Sequence, residues 1–195
     1  MIALAAMTPA QHQAMPHRMN IPLQAVLHSQ EGWGQRQGRE VRTRIENLMT
    51  SSVQIIAVSL AGITHTDVAF ARASIVELAA CQRTRRGFCL EDVTDADILD
   101  NWDAATSKLE HPLTVWFPDG SYRVLGPQPS TGLRQMLGYV FSVPVARTSE
   151  AAAEFQLKVP NVSNKLKQLW QGGYILRQEQ SASSGGVQYD YIRIG

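Results

Sequence analysis

Apolar residues along the chain follow two rhythms, and each change of rhythm marks an element. Val53-Gln54-Ile55-Ile56-Ala57-Val58-Ser59-Leu60 is a nearly continuous apolar, β-branched run, the pattern of a strand buried on both faces. Gly62 ends it. Asp67 to Arg86 then reads as a helix with Ala71, Ile75, Leu78 and Ala79 on its inner stripe. Arg83, Arg85 and Arg86 crowd its C-terminal end, where the helix dipole favours cations, and Gly87 stops it. Phe88-Cys89-Leu90 reads as a short buried strand. Thr94 is placed to cap a further helix, with Asp95 and Asp97 in its first turn and Ile98, Leu99, Trp102 and Ala105 facing inward. Leu113 to Phe117 and Tyr122 to Leu125 are strands joined by the turn signal Pro118-Asp119-Gly120. Upstream, Ile21 to Leu27 reads as an edge strand. Gly32, Gly34 and Gly38 read as a loop, and Arg39 to Met49 as a helix with Val41, Ile45 and Leu48 on one face. Residues 1–20, rich in Met, Gln, His and Pro, show no period and read as a disordered arm.

Past Leu125-Gly126-Pro127-Gln128-Pro129-Ser130, whose composition is that of a boundary, the rhythm becomes mainly helical. Thr131 to Val143 carries Leu133, Met136, Leu137 and Val140 on one face. The segment Glu150 to Leu157 holds a short helix with a small residue, Ala152, three before Phe155, and Leu157 in the turn. Pro160 to Trp170 places Val162, Leu166 and Leu169 at i, i+4, i+7, a narrow apolar stripe, with Pro160 in a first turn and Gly173 as the stop. Tyr174 to Gln178 and Val187 to Ile194 read as two strands around a Ser/Gly-rich tip. In the second strand Val187, Tyr189, Tyr191 and Arg193 alternate with Gln188, Asp190 and Ile192.

Strand, helix, strand, helix, strand in the first part implies an α/β layer with a partly parallel sheet and right-handed crossovers. Residues 21–127 resemble the STAS-like fold of anti-sigma-factor antagonists, a mixed sheet with helices. The best local match is Val58-Ser59-Leu60-Ala61-Gly62-Ile63-Thr64-His65-Thr66-Asp67, a strand, a glycine, and an Asp opening a helix. Phospho-switch members of that family follow this Asp with Ser or Thr. Here Val68-Ala69-Phe70-Ala71 follows, so the resemblance implies a docking or dimerisation module and not a phosphorylated antagonist. Residues 128–195 resemble the three-helix winged helix-turn-helix of MarR-, ArsR- and GntR-like bacterial regulators, ungapped from Glu150 to Ile175. Gln156 stands where that family often has Gly, and the wing tip has no Arg or Lys.

The resemblance implies a cytoplasmic DNA-binding regulator of transcription, acting as a homodimer on double-stranded DNA. The helix 160–170 and the wing 178–188 would do the reading, and the STAS-like part would hold any protein partner. An α-helix fits the major groove, where amides can read adenine and ammonium groups can reach guanine or phosphate. The candidate readers are Asn161, Ser163, Asn164, Lys165 and Gln168. Lys158, Lys167 and Arg177 are candidate phosphate contacts, and Ser183 and Ser184 offer hydroxyls at the wing tip. The alternative is a protein-interaction scaffold whose winged helix meets no DNA.

Charge adds modest support. Residues 1–127 hold 11 Lys/Arg against 13 Asp/Glu, net −2, whereas residues 128–195 hold 7 against 4, net +3. Only two cysteines are present, Cys81 and Cys89, too few for a disulfide scaffold, and they read as buried small apolar residues. Glu91, Asp92, Asp95, Asp97, Asp100 and Asp103 lack EF-hand spacing and read as helix-end charges on a solvated face. His65 and Asp67 have no nucleophile motif beside them, and no phosphate loop, dinucleotide fingerprint or zincin motif occurs. No enzyme activity, cofactor, metal site or membrane segment is therefore expected. Trp102, Trp116 and Trp170 read as core or interface, and Trp33 as either core or a surface anchor.

Overall fold

The computed structural model describes residues 17–181 and 187–195. In chain order its first part comprises β1 (Arg18–Pro22), α1 (Leu23–Leu27), β2 (Glu31–Gly32), α2 (Gly34–Leu48), β3 (Ile55–Ser59), β4 (His65–Thr66) and α3 (Val68–Ala71). A π-helical turn (Arg72–Val76) continues α3 into α4 (Glu77–Gln82). Then come β5 (Gly87–Glu91), α5 (Ala96–Lys108), β6 (Leu113–Trp116) and β7 (Tyr122–Leu125). The main sheet has the order β1-β3-β5-β6-β7, with the first four strands parallel and β7 antiparallel. The chain is thus a mixed α/β protein.

Alternation along β3 and β5 explains how this sheet is used. Ile56, Val58, Phe88 and Leu90 point into a core shared with Val41 and Ile45 of α2, Phe70, Ile75 and Leu78, and Trp102 of α5. Ile55, Ala57 and Cys89 point the other way, onto Leu176 and Ile194 from the C-terminal part. β3 is therefore buried on both faces, which its unbroken apolar run requires.

Several expectations are corrected. The edge strand lies at Arg18–Pro22, earlier than residues 21–27, so 18–20 are sheet and not arm, while residues 1–16 lie outside the described residues. Pro22, lacking an N–H, ends the ladder. Leu23 and Leu27, four apart and both buried, form one helical face. Gly34 and Gly38 belong to α2 and not to a loop. A Cβ on Gly38 would come within 2.9 Å of the Phe70 carbonyl and the Ala73 methyl, so glycine here permits a close helix crossing. Asp95, and not Thr94, caps α5, accepting from the N–H groups of Asp97 and Ile98. Cys81 is exposed, whereas Cys89 is buried and its thiol is pushed up to about 12, mainly by burial.

The second part comprises α6 (Thr131–Ser142), β8 (Ala146–Arg147), α7 (Thr148–Glu154), α8 (Val159–Gly172), β9 (Ile175–Ser181) and β10 (Val187–Arg193). Its core joins Met136, Leu137 and Val140 of α6, Ala151 and Ala152 of α7, Val162, Leu166 and Leu169 of α8, and Ile175 and Tyr191. The strands form an antiparallel sheet ordered β8-β10-β9. β8 was not foreseen, because two residues are too few to show a period. In β10 the simple alternation fails: Asp190, Tyr191 and Ile192 are buried in succession, because this end of the strand is covered on both faces. Among the described residues, no helix is long and apolar enough to cross a membrane.

Candidate nucleic-acid interface

α8 is set by three local features. Pro160 sits in the first turn, where a missing N–H costs nothing. The Val162/Leu166/Leu169 stripe is fully buried against α6 and α7. Gly173 ends the helix at φ 85°, its N–H reaching back to the last turn. A Cβ at Gly173 would also come within about 3 Å of His111 and Arg83, so two constraints select glycine.

With that stripe buried, the opposite face of α8 is open. Asn161, Asn164, Lys167 and Gln168 are exposed, as is Lys158 just before the helix. Gln171, seven residues beyond Asn164, shares this exposed face, whereas Val159, 52% exposed, extends the Val162/Leu166 stripe past the N-terminal end of the helix. Sequence reasoning passed over both. The 3.6-residue period that selects Asn164 also selects Gln171. α8 itself contains no acidic residue.

The remaining candidates are placed differently. Ser163 and Lys165 are half-buried at the edges of the face. A Cβ on Gly132 of α6 would lie 3.1 Å from the Lys165 ammonium, so this side chain runs along α6 and does not project with Asn164. Arg177 is held between rings, 3.5 Å from the centroid of Trp170 and 4.1 Å from that of Tyr189. Only the guanidinium edge of such a stack is left to meet a phosphate. Ser183 and Ser184 lie outside the described residues.

The α7–α8 turn carries a backbone feature with a measurable consequence. Gln156 adopts φ 52°, the left-handed conformation that favours glycine. It is exposed, and no side-chain hydrogen bond to it is found among the described residues. Replacing Gln156→Gly therefore raises stability by about 0.5–1 kcal/mol, less the chain entropy glycine adds to the unfolded state. A urea midpoint equal to or below wild type would contradict this.

Elsewhere, several polar side chains have structural partners, although His65 Nε2 is buried without one among the described residues. Asp67 caps α3 by accepting from Phe70 N–H, and it also accepts from Gly34 N–H. His65 stacks on Trp33 at 3.9 Å, and Trp33 is 53% exposed, which settles it as a surface residue. Trp102 is core, donating to the Thr66 hydroxyl at 2.9 Å. Trp116 and Trp170 bridge the two parts of the chain, donating to the carbonyls of Ile194 and Thr84. Of the acidic group, Glu91 pairs with Arg18 and Asp92 accepts from the Ser59 hydroxyl, while Asp103 accepts from Gly126 N–H. No group of three or more potential metal ligands forms among the described residues. No protein-family model matches the chain, and a search of curated proteins finds no match to it.

Proposed function

We propose that the chain binds duplex DNA as a regulatory protein, transcriptional and of bacterial type. α8 reads the major groove, and the β9–β10 hairpin lies along the backbone as a wing. One observation carries this reading: α8 buries its apolar stripe completely while Asn161, Asn164, Lys167, Gln168 and Gln171 stand clear on the other side. The order α6-β8-α7-α8-β9-β10 supports it, because a winged helix-turn-helix is built in that order. The STAS-like reading of the first part is supported by its parallel strands and by Asp67 opening a helix just after a strand. In this reading that part mediates assembly of a homodimer or docking of a partner. Two α8 helices presented ~34 Å apart would then meet successive half-sites.

The test is fluorescence anisotropy with mixed-sequence duplex DNA across a salt series. Binding is tight at low salt and falls linearly on a log–log plot. Asn164→Ala combined with Gln168→Ala weakens it at least about 30-fold, since each amide lost from a groove removes about 1–3 kcal/mol. The double variant melts as wild type does, because both side chains are exposed. No binding at low salt, or binding without a salt slope, would reject the proposal. A second reading, a protein-docking scaffold, is favoured by exposed Trp33, which stacks on half-buried His65. It predicts that the double variant and wild type behave alike on DNA while Trp33→Ala loses a protein partner.

A further inference from the structure

The C-terminal end of α8 is docked on the first part of the chain at one particular loop. Trp170 Nε1–H donates to the Thr84 carbonyl at 3.2 Å, and Gly173 packs on Arg83 and His111. This loop, residues 83–86, carries three arginines, and two of them are occupied. Arg83 donates to His111 Nδ1 and to the Glu110 carbonyl. Arg86 donates to the carbonyls of Val53 and Thr50. Arg85 is different. It is exposed, and among the described residues no hydrogen bond or ion pair engages its guanidinium. Its backbone N–H is fixed by Gln82, 2.7 Å away, so its position is set by the end of α4.

Tyr189, Arg177 and Trp170 form a stack whose indole N–H meets the Thr84 carbonyl, and Arg85 is the next residue along the chain. Lys167 lies one helical turn before Trp170 and is exposed on the adjoining face. Glu110, exposed beside His111, gives its backbone carbonyl and not its carboxylate to Arg83, so one acid stands beside the three arginines. The juxtaposition makes a basic edge that crosses from one part of the chain to the other.

We propose that Arg85 contacts a phosphate of the same duplex that α8 reads, so that the nucleic-acid interface spans both parts of the chain. This rests on the DNA-binding reading above and extends it to a residue outside the helix-turn-helix. A wing tip without Arg or Lys leaves a shortage of backbone contacts, and Arg85 supplies one beside the C-terminal end of α8.

The experiment compares the full-length wild type with Arg85→Ala, Arg85→Lys and the Asn164→Ala/Gln168→Ala variant on mixed-sequence and single-sequence duplexes across a salt series. Arg85→Ala lowers affinity about three- to tenfold, equally for all sequences. It also reduces the magnitude of the log–log salt slope by about 0.9, one phosphate contact. Arg85→Lys restores the slope. Because the side chain is unengaged, both variants unfold at the wild-type urea midpoint. If Arg85→Ala keeps wild-type affinity and slope while the α8 variant loses binding, the extension to Arg85 is wrong and the reading of α8 survives. If wild type itself fails to bind at low salt, both fall.

Discussion

Arg147→Met destabilises the protein by about 3–5 kcal/mol, the effect expected when a buried carboxylate loses its cation. Arg147 and Asp190 are cross-strand partners of β8 and β10, and Nε of the arginine meets the Asp190 carboxylate at 3.2 Å. The aspartate is only 2% exposed. The arginine also reaches Glu150 at 3.3 Å, tying β8 to the first turn of α7. Removing the guanidinium leaves the buried Asp190 carboxylate without its cation. The pair itself contributes little against a neutral, well-packed substitute. Arg147→Met combined with Asp190→Asn therefore recovers most of the loss. Urea unfolding followed by tryptophan fluorescence reads both variants. A single-variant midpoint near that of wild type, or a double variant as unstable as the single, would contradict the assignment.

His111 makes stability depend on pH over a defined window. It is 3% exposed, and its pKa is pushed down to about 4, first by burial and then by the Arg83 guanidinium beside it. Arg83 Nε–H donates to His111 Nδ1 at 3.2 Å, an arrangement that needs a neutral ring. In the unfolded chain the ring titrates at its ordinary value near 6.5. Between these values the unfolded state binds the additional proton, so stability falls as pH drops from about 6.5 to about 4 and is complete above that range. Lowering the ring's pKa from about 6.5 to about 4 corresponds to about 3 kcal/mol. Carboxylates also titrate below pH 5, so the informative quantity is the difference between wild type and His111→Gln. The difference in unfolding free energy between the two shifts by about 3 kcal/mol in favour of the variant as pH falls from 7.5 to 4. A constant difference would show that the ring is not held neutral.

Much of the architecture is legible in the sequence because its periods are long and clean. The run at residues 53–60, the α8 stripe and the 113–125 hairpin each announce their element. Failures have local physical causes. Arg18-Met19-Asn20 shows no strand pattern because an edge strand is half solvated. Gly34 and Gly38 look like loop residues because the close helix crossing that requires Gly38 is a tertiary fact. Asp190 looks outward because its partner Arg147 lies 43 positions away. For the candidate interface, periodicity finds the open face of α8. It cannot find that Arg177 is clamped between two rings, that Lys165 lies along α6, or that the residue 83–86 loop abuts Trp170.

Because β3 and β5 are covered on one side by helices and on the other by Leu176 and Ile194, the protein has no free hinge at Gly126-Pro127. Anything that twists the sheet moves α8 with it, as a handle moves with its blade. Severing the chain between Leu125 and Ser130 would leave two fragments, each carrying an unsealed greasy wall, and not a pair of independent folds.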